Sequence, residues 1–497
     1  MKKSAFMLFI ILMASMSFVP SALAEEEREL QGEIIYNIMV DRYNNGNSMN
    51  DDQVDIENPD TYHGGDIEGI IARLDALEEI GVTTISLSPL MNNGADGYHG
   101  YWIEDFYSME EQFGTFDDLD MLIAEAHDRG MKVVMEFVTN YIAKSNPIAD
   151  EPEKEDWMMD HGLTDPAWTA NTAGLNLANP EVETYLIDTA KYWMSETDLD
   201  GFKLHAVDEA SIDFLGNFTK QIKDENPNFY LLGDILFNDE ASEELLERTE
   251  LDAVENMEMK ESMTEVFAEP DQPVSNIYET WANTSNENPL LYLDDFYTER
   301  FTQIYSENQR NSLTTWTLAL TYMYTTPGIP TLLQGTELPM YGATEEETQR
   351  LVPFNSGEPE LKEFHDRISS LREQFPVLQY GDFEIVGSDG AMSVFKRTLD
   401  DETMYIAINN GSESAYVDVT DMDSGMQLRG FLGDNLVREN ENGEYRIGLP
   451  RESSEVYSVQ EDAGLNWIFI GFVLIVFILF VIGIIALSIK QKKRMAE

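Results

Sequence analysis

The stretch 200–210, DGFKLHAVDEA, constrains the fold of this chain more than any other. Gly201, Phe202, Lys203 and Leu204 form a short alternating apolar run. Such a run reads as one strand of a parallel (β/α)8 barrel, in which residues at the C-terminal ends of the strands point into one shared face. Lys203 and His205 are therefore expected at the barrel mouth. The reading extends along the chain. Residues 34–40 predict a first strand, and Ile70, Ile71, Leu74 and Leu77 recur at helical spacing. Gly81 then stops that helix before a strand over Thr84–Leu87, which completes one βα unit. Further strands are expected over 133–137 and Tyr230–Gly233.

Length and charge narrow the class. The 497 residues allow two to three domains of about 150 residues each. With 43% hydrophobic and 25% charged residues the composition is globular. A formal net charge of -62 repels phosphate backbones and argues against a nucleic-acid partner. The plain reading of that charge is a solvated acidic coat suited to high salt, where counterions screen self-repulsion. The absence of cysteine excludes disulfides, a catalytic thiol and thiolate metal sites.

Both ends predict addresses. Residues 1–24 have Lys2 and Lys3, an apolar run and a small-residue site at Ala22-Leu23-Ala24, the pattern of a secretory signal cut before Glu25. Residues 465–489 are apolar over a length that could cross a bilayer, and a basic tail at 490–497 follows. The expectation is a single-pass cell-membrane protein with an extracellular globular part and a cytoplasmic C-terminus.

Within 25–375 the loop around Asn45, Asn47, Asn50 and Asp51 is rich in oxygen donors, which suits a hard ion such as calcium. An ordinary Asn-Gly turn is the alternative. Residues 141–179 form an excursion with two tryptophans and several prolines, the size of a small domain inserted after strand three. Residues 376–460 carry alternating β-branched runs with Asn-Gly and Asp-Gly signals, which predict an antiparallel β domain.

Five motifs share one resemblance. They are GFKLH at 201–205, GYHGYW at 97–102, EFVTN at 136–140, LYLDDFYTER at 291–300 and TTPGIPTLLQGTE at 325–337, the last followed by RLVP at 350–353. Together they resemble the α-amylase superfamily, glycoside hydrolase family 13. The resemblance implies a (β/α)8 barrel, an inserted domain after strand three and a C-terminal β domain. It also implies an N-terminal calcium loop completed by Gly64 and Asp66, and a sugar-stacking wall at Tyr98, His99 and Trp102. A packed loop is the alternative for those three. The family's nucleophile, acid/base and third carboxylate fall at His205, Asp234 and Tyr297, its Arg at Lys203, and a family calcium ligand at Gly174.

These exchanges bear on the chemistry. A retaining glycosidase sets two carboxyl groups about 5 to 5.5 Å apart. His205 breaks that pair, Asp234 is one methylene shorter than Glu, and Lys203 lacks the planar fork of Arg. Nearby Asp208, Glu209, Asp294, Asp295 and Glu299 are expected as surface charge. The sequence thus predicts a catalytically inactive membrane-anchored module that binds a glycan, such as an α-glucan, or a membrane-protein partner. The alternative is an active α-amylase-type glycosidase with a rearranged carboxylate set.

Overall fold

The computed structural model describes residues 29–164, 166–237, 242–284, 288–462, 464 and 467–494. Eight parallel strands form the central sheet. They are β1 (Ile35–Ile38), β2 (Thr84–Leu87), β3 (Lys132–Val138), β4 (Gly201–His205), β5 (Tyr230–Gly233), β6 (Ala253–Val254), β7 (Leu290–Leu291) and β8 (Ile329–Leu333). Neighbours in sequence pair in register from β1 to β6, as in Ile35 with Thr84 and Phe202 with Leu231. β8 pairs with both β7 and β1, and a bridge from Glu255 to Leu290 joins β6 to β7, so the sheet closes into a barrel. The strands are apolar almost throughout because both of their faces are covered, by the barrel interior and by the outer helices.

The helices follow from local signals. Helix Phe116–His127 starts at Thr115, whose hydroxyl accepts from the Asp118 amide while Asp118 caps back, a capping box whose loss costs about 1 kcal/mol. Helix Pro180–Glu196 has Asn179 as its cap and Pro at its first turn, where a missing N–H costs nothing. It buries Val182, Leu186, Ala190 and Trp193 against the barrel, each worth about 1 to 3 kcal/mol of apolar burial. The Trp193 indole N–H donates to the Phe106 carbonyl at 2.7 Å, which ties this helix to the strand Ile103–Met109.

Between β3 and that helix lies a three-stranded antiparallel sheet of Tyr141–Ala143, Thr172–Leu175 and Met158–Met159. Gly174 sits inside it, where a Cβ would fall 2.7 Å from the Met159 carbonyl oxygen. Beyond the barrel, strands from Asp382 to Glu461 form a six-stranded antiparallel sheet faced by a strand pair, Ala415–Val419 with Tyr445–Leu449. This β domain has its own core around Tyr405, Val419 and Ile447. Its other face is continuous with the barrel core through Phe383, Phe395, Ile406 and Val456. Polar bonds cross the same seam. Arg310 donates to the Asn410 side-chain oxygen at 2.6 Å, Asn410 donates to the Val266 carbonyl at 2.7 Å, and Arg397 donates to the Thr325 carbonyl at 2.8 Å.

A final helix runs from Trp467 to Arg494. Among the described residues no helix is long and apolar enough to cross a membrane. The expected crossing over 465–489, and with it the single-pass cell-membrane placement and cytoplasmic tail, is corrected on that ground. Residues 465 and 466, and the expected signal over 1–24, lie outside the described residues.

Candidate active site at the barrel mouth

β4 delivers His205 to the mouth with its ring fully buried. The next residue, Ala206, takes a left-handed backbone at φ 51°, ψ 54°, a conformation that costs a residue with a Cβ about 1 to 2 kcal/mol. Two neighbours hold it there. The Ala206 N–H donates to Asp234 Oδ1, and the Asn140 amide donates to the Ala206 carbonyl at 2.8 Å. The turn therefore couples the ends of β3, β4 and β5.

His205 Nδ1 hydrogen-bonds to Asp234 Oδ2 at 2.9 Å. Glu136 Oε1 lies 2.7 Å from the same nitrogen as an ion-pair partner, out of line for a hydrogen bond of its own. Burial alone would push the imidazole down, but the Asp234 and Glu136 carboxylates outweigh it and lift His205 to about 10. Burial likewise pushes the Asp234 carboxyl up, and the charges of His205 and Lys203 with two hydrogen bonds outweigh it, so Asp234 is held below the usual carboxylate range. At neutral pH the cluster is an imidazolium between carboxylates. Glu136, His205 and Asp234 place their ligating atoms within 4.8 Å of one another, a geometry that could hold a metal. The 2.7 and 2.9 Å separations are nevertheless those of an imidazolium hydrogen-bonded to Asp234 and ion-paired with Glu136. Ligands on a tetrahedral zinc with bonds of 2.0 to 2.1 Å would stand about 3.3 Å apart.

Lys203, two residues earlier on the same strand, turns its ammonium to Glu255 Oε1 at 2.8 Å. Burial pushes the Glu255 carboxyl up, Lys203 pulls it down and the Asp234 charge pushes it up again, leaving it at about 7. Burial is also outweighed at Lys203, whose carboxylate neighbours raise it above its usual range, so it stays cationic. Glu136, Lys203, Asp234, Glu255, Phe296 and Tyr297 share the wall of a cavity of about 220 Å³. Sequence reasoning missed Glu255. The signal available was its place directly after an apolar pair in LDAVENM, at the end of a barrel strand.

Aromatic rings close the other side. Tyr101 lies 4.6 Å and Trp168 5.5 Å from the His205 ring, stacked on each other at 4.4 Å, and the Tyr101 hydroxyl meets that of Tyr297 at 2.5 Å. The expected sugar wall belongs to this packing. Tyr98 lies over the Arg42 guanidinium at 3.7 Å and donates to Gln349. His99 is buried, and burial pushes it down to about 3, so it is neutral and accepts from the Tyr101 N–H. Trp102 donates to the Trp168 carbonyl at 2.8 Å. Tyr98, His99 and Trp102 are brought together, but they do not line the 220 Å³ cavity. Asp294 and Asp295, expected on the surface, are corrected as well. Asp294 is buried and accepts from the Phe301 N–H at 2.6 Å, and Asp295 is paired with Lys260 and Thr298.

At the N-terminal loop the structure sets Asn45, Asp51 and Gly64 side by side. Asn45 donates to the Asp51 carboxylate at 2.9 Å. A Cβ on Gly64, whose φ is +88°, would fall 2.6 Å from the Asn45 amide and 3.0 Å from Asp51 Oδ1. Asp66 accepts from the backbone N–H groups of Gly46, Asn47 and Gly69. Asn47 bonds to Met49 and Glu68, and the Asn50 N–H donates to the Asn47 carbonyl. This oxygen-rich cradle, too close for any side chain at position 64, fits a hard cation.

The comparisons with known proteins agree with this geometry. The family model described as α-amylase, catalytic domain, matches residues 37–370, and that of the α-amylase C-terminal domain matches 381–457. The intracellular maltogenic amylase of Bacillus subtilis is 27% identical over 387 residues, which cover 73% of this chain and 64% of that protein. The chain thus spans less than two thirds of that relative's length. A cyclomaltodextrinase of Geobacillus thermopakistaniensis is 26% identical over 86% of this chain and 76% of its own. Two solved structures, an Anoxybacillus α-amylase and a Geobacillus thermoleovorans α-amylase complexed with acarbose, are 38% and 37% identical. Their TM-scores are 0.83 and 0.82, over 88% of this chain and 100% of theirs. The expectation of a membrane-anchored module without glycosidase activity is overturned by these relatives, which are named as amylases and a cyclomaltodextrinase, one of them as intracellular. For all the exchanges at its strand ends, the chain belongs to the α-amylase family.

Proposed function

We propose that this chain is an α-glucan glycosidase working with a rearranged carboxylate set at the barrel mouth. One observation carries the reading. Glu136, Asp234 and Glu255, at the ends of β3, β5 and β6, face one cavity. A retaining glycosidase needs two such carboxyl groups, one as nucleophile and one as acid. Similarity to two α-amylases, one in complex with acarbose, favours α-glucans as the substrate class.

The roles follow from the electrostatics. Asp234 is ionised and uses one lone pair on each oxygen, toward Ala206 and His205, which leaves further lone pairs free to attack. In this reading Asp234 takes the part the family gives to the residue at position 205. It attacks the anomeric carbon and the glycosidic C–O bond breaks. Water then cleaves the resulting glycosyl ester. His205 and Lys203 act as positioning residues, since their positive charges keep Asp234 ionised. Burial of Asp234 strengthens each charge interaction there.

Family membership also favours calcium, and Asn45, Asn47, Asn50, Asp51, Asp66 and the Gly64 carbonyl are the residues that would hold it. Such an ion would tie the loop at Asn45–Asp51 to the turn at Gly64–Asp66 and so lend stability. The test of the function is direct. Purified chain incubated with maltoheptaose is expected to release reducing ends, and NMR of the first products should show the α anomer. Folded protein that releases none above a buffer blank overturns the reading.

A further inference from the structure

We infer that Glu255 is the proton donor to the leaving sugar oxygen, an inference that rests on the glycosidase reading above. The residue follows β6 directly, and its backbone bridges to Leu290 of β7, so its Cα is fixed by the barrel itself. The residue is 6% exposed. Oε1 meets Lys203, and Oε2 lies 3.5 Å from the Ile235 N–H, the residue after Asp234. It faces the cavity that Asp234 and Glu136 also line.

Charge counting gives it the proton. Three carboxyl groups, Glu136, Asp234 and Glu255, share the buried mouth with two cations, Lys203 and His205. Two carboxylates balance those cations, so ionising all three would leave one net negative charge in the buried mouth, which costs several kcal/mol. Protonation of Glu255 makes the cluster neutral. The carboxyl lifted to about 7 by burial agrees, and Asp234 and Glu255 are then two acids whose surroundings drive them apart, the arrangement that divides the work between nucleophile and acid. Asp294 does not line this cavity, and Asp295 is paired with Lys260, which helps hold it below the usual carboxylate range.

The step balances. As the C1–O bond breaks, the Glu255 proton moves to the departing oxygen while an Asp234 oxygen bonds to C1. In the second half the Glu255 carboxylate takes a proton from water, whose oxygen replaces Asp234 on C1. Both groups return to their starting states.

The test compares leaving groups. Maltoheptaose needs its leaving oxygen protonated, and α-maltotriosyl fluoride does not. For the unaltered protein, kcat/KM on maltoheptaose should fall as pH rises through about 7, and the fall should be absent with the fluoride. Glu255→Gln should lose at least about a hundredfold on maltoheptaose and less than about fivefold on the fluoride. Glu255→Asp should restore part of the first loss. Equal losses on both substrates, or the same alkaline fall with the fluoride, overturn the inference and leave the glycosidase reading standing. A folded parent protein inert to both substrates overturns the glycosidase reading, and this inference with it. Where Glu255→Gln does not fold, the two pH profiles of the parent protein decide.

Discussion

The two walls of the barrel mouth meet the loss of the family's usual groups in opposite ways. On the β3–β4 wall the exchanged residue, His205, is sealed under Tyr101 and Trp168, its Nδ1 hydrogen-bonded to Asp234 with the Glu136 carboxylate beside it. On the β5–β7 wall, Glu255 lines the cavity beside Lys203, and burial lifts its carboxyl to about 7. The contrast teaches that a bulky cation at one strand end does not simply fill an active site. It reorganises charge there, making one neighbour a firm anion and leaving another able to hold a proton.

The largest effect should come from removing the residue common to both walls. Asp234→Ala takes away the partner of His205 and of the strained Ala206, and breaking a buried pair costs about 3 to 5 kcal/mol. Activity on maltoheptaose should disappear, and denaturant unfolding should record the loss of stability. Asp234→Asn, which keeps the shape, should lose activity with a smaller loss of stability. Equal activity in Asp234→Asn and the parent would remove Asp234 from the chemistry.

Next is the pH dependence of the sealed wall. The folded His205 is raised from 6.5 to about 10, so its stabilising contribution is complete below about pH 6.5 and is lost as pH rises through 10. Unfolding free energy should decline over that window, and the decline should be missing in His205→Gln. Calcium should matter less. An ion held only by the folded chain at a hundred times its Kd adds about 2.7 kcal/mol. The melting temperature should therefore rise with calcium and fall with chelator, and Asp66→Ala should abolish the response. The smallest effect belongs to Tyr98. Because its ring packs on Arg42 outside the cavity, Tyr98→Ala should lower stability by about 1 to 2 kcal/mol and leave KM for maltoheptaose nearly unchanged. A large rise in KM would return Tyr98 to the sugar.

The sequence carried the barrel plainly where strands are regular. The run at 201–205 and the Thr84–Leu87 segment are strands because alternation and flanking helical periods were both visible in them. β6 and β7, two residues each, have no period to read, and Glu255 stayed hidden with them. The roof over His205 was illegible for another reason. Trp168 comes from the excursion after β3 and Tyr297 from the loop after β7, and no local pattern records that two distant rings will meet. The exchange of single residues was legible. Its outcome, a buried ion cluster across three strand ends, depends on distances of 2.7 and 2.9 Å that only the closed barrel sets.

The seam between barrel and β domain has a consequence for how the molecule comes apart. Phe383, Phe395, Ile406 and Val456 belong to the same apolar core as the barrel, and Arg310 is 8% exposed with its charge satisfied partly by Asn410 from across the boundary. Detaching the β domain would open that core and strand a buried guanidinium, so neither half gains by melting first. Heat capacity should therefore show one peak for both, and a protease should find no early cut between them. The β domain is in this sense a wall of the barrel's own interior, and a chain ended before Asp382 should fail to accumulate in folded form.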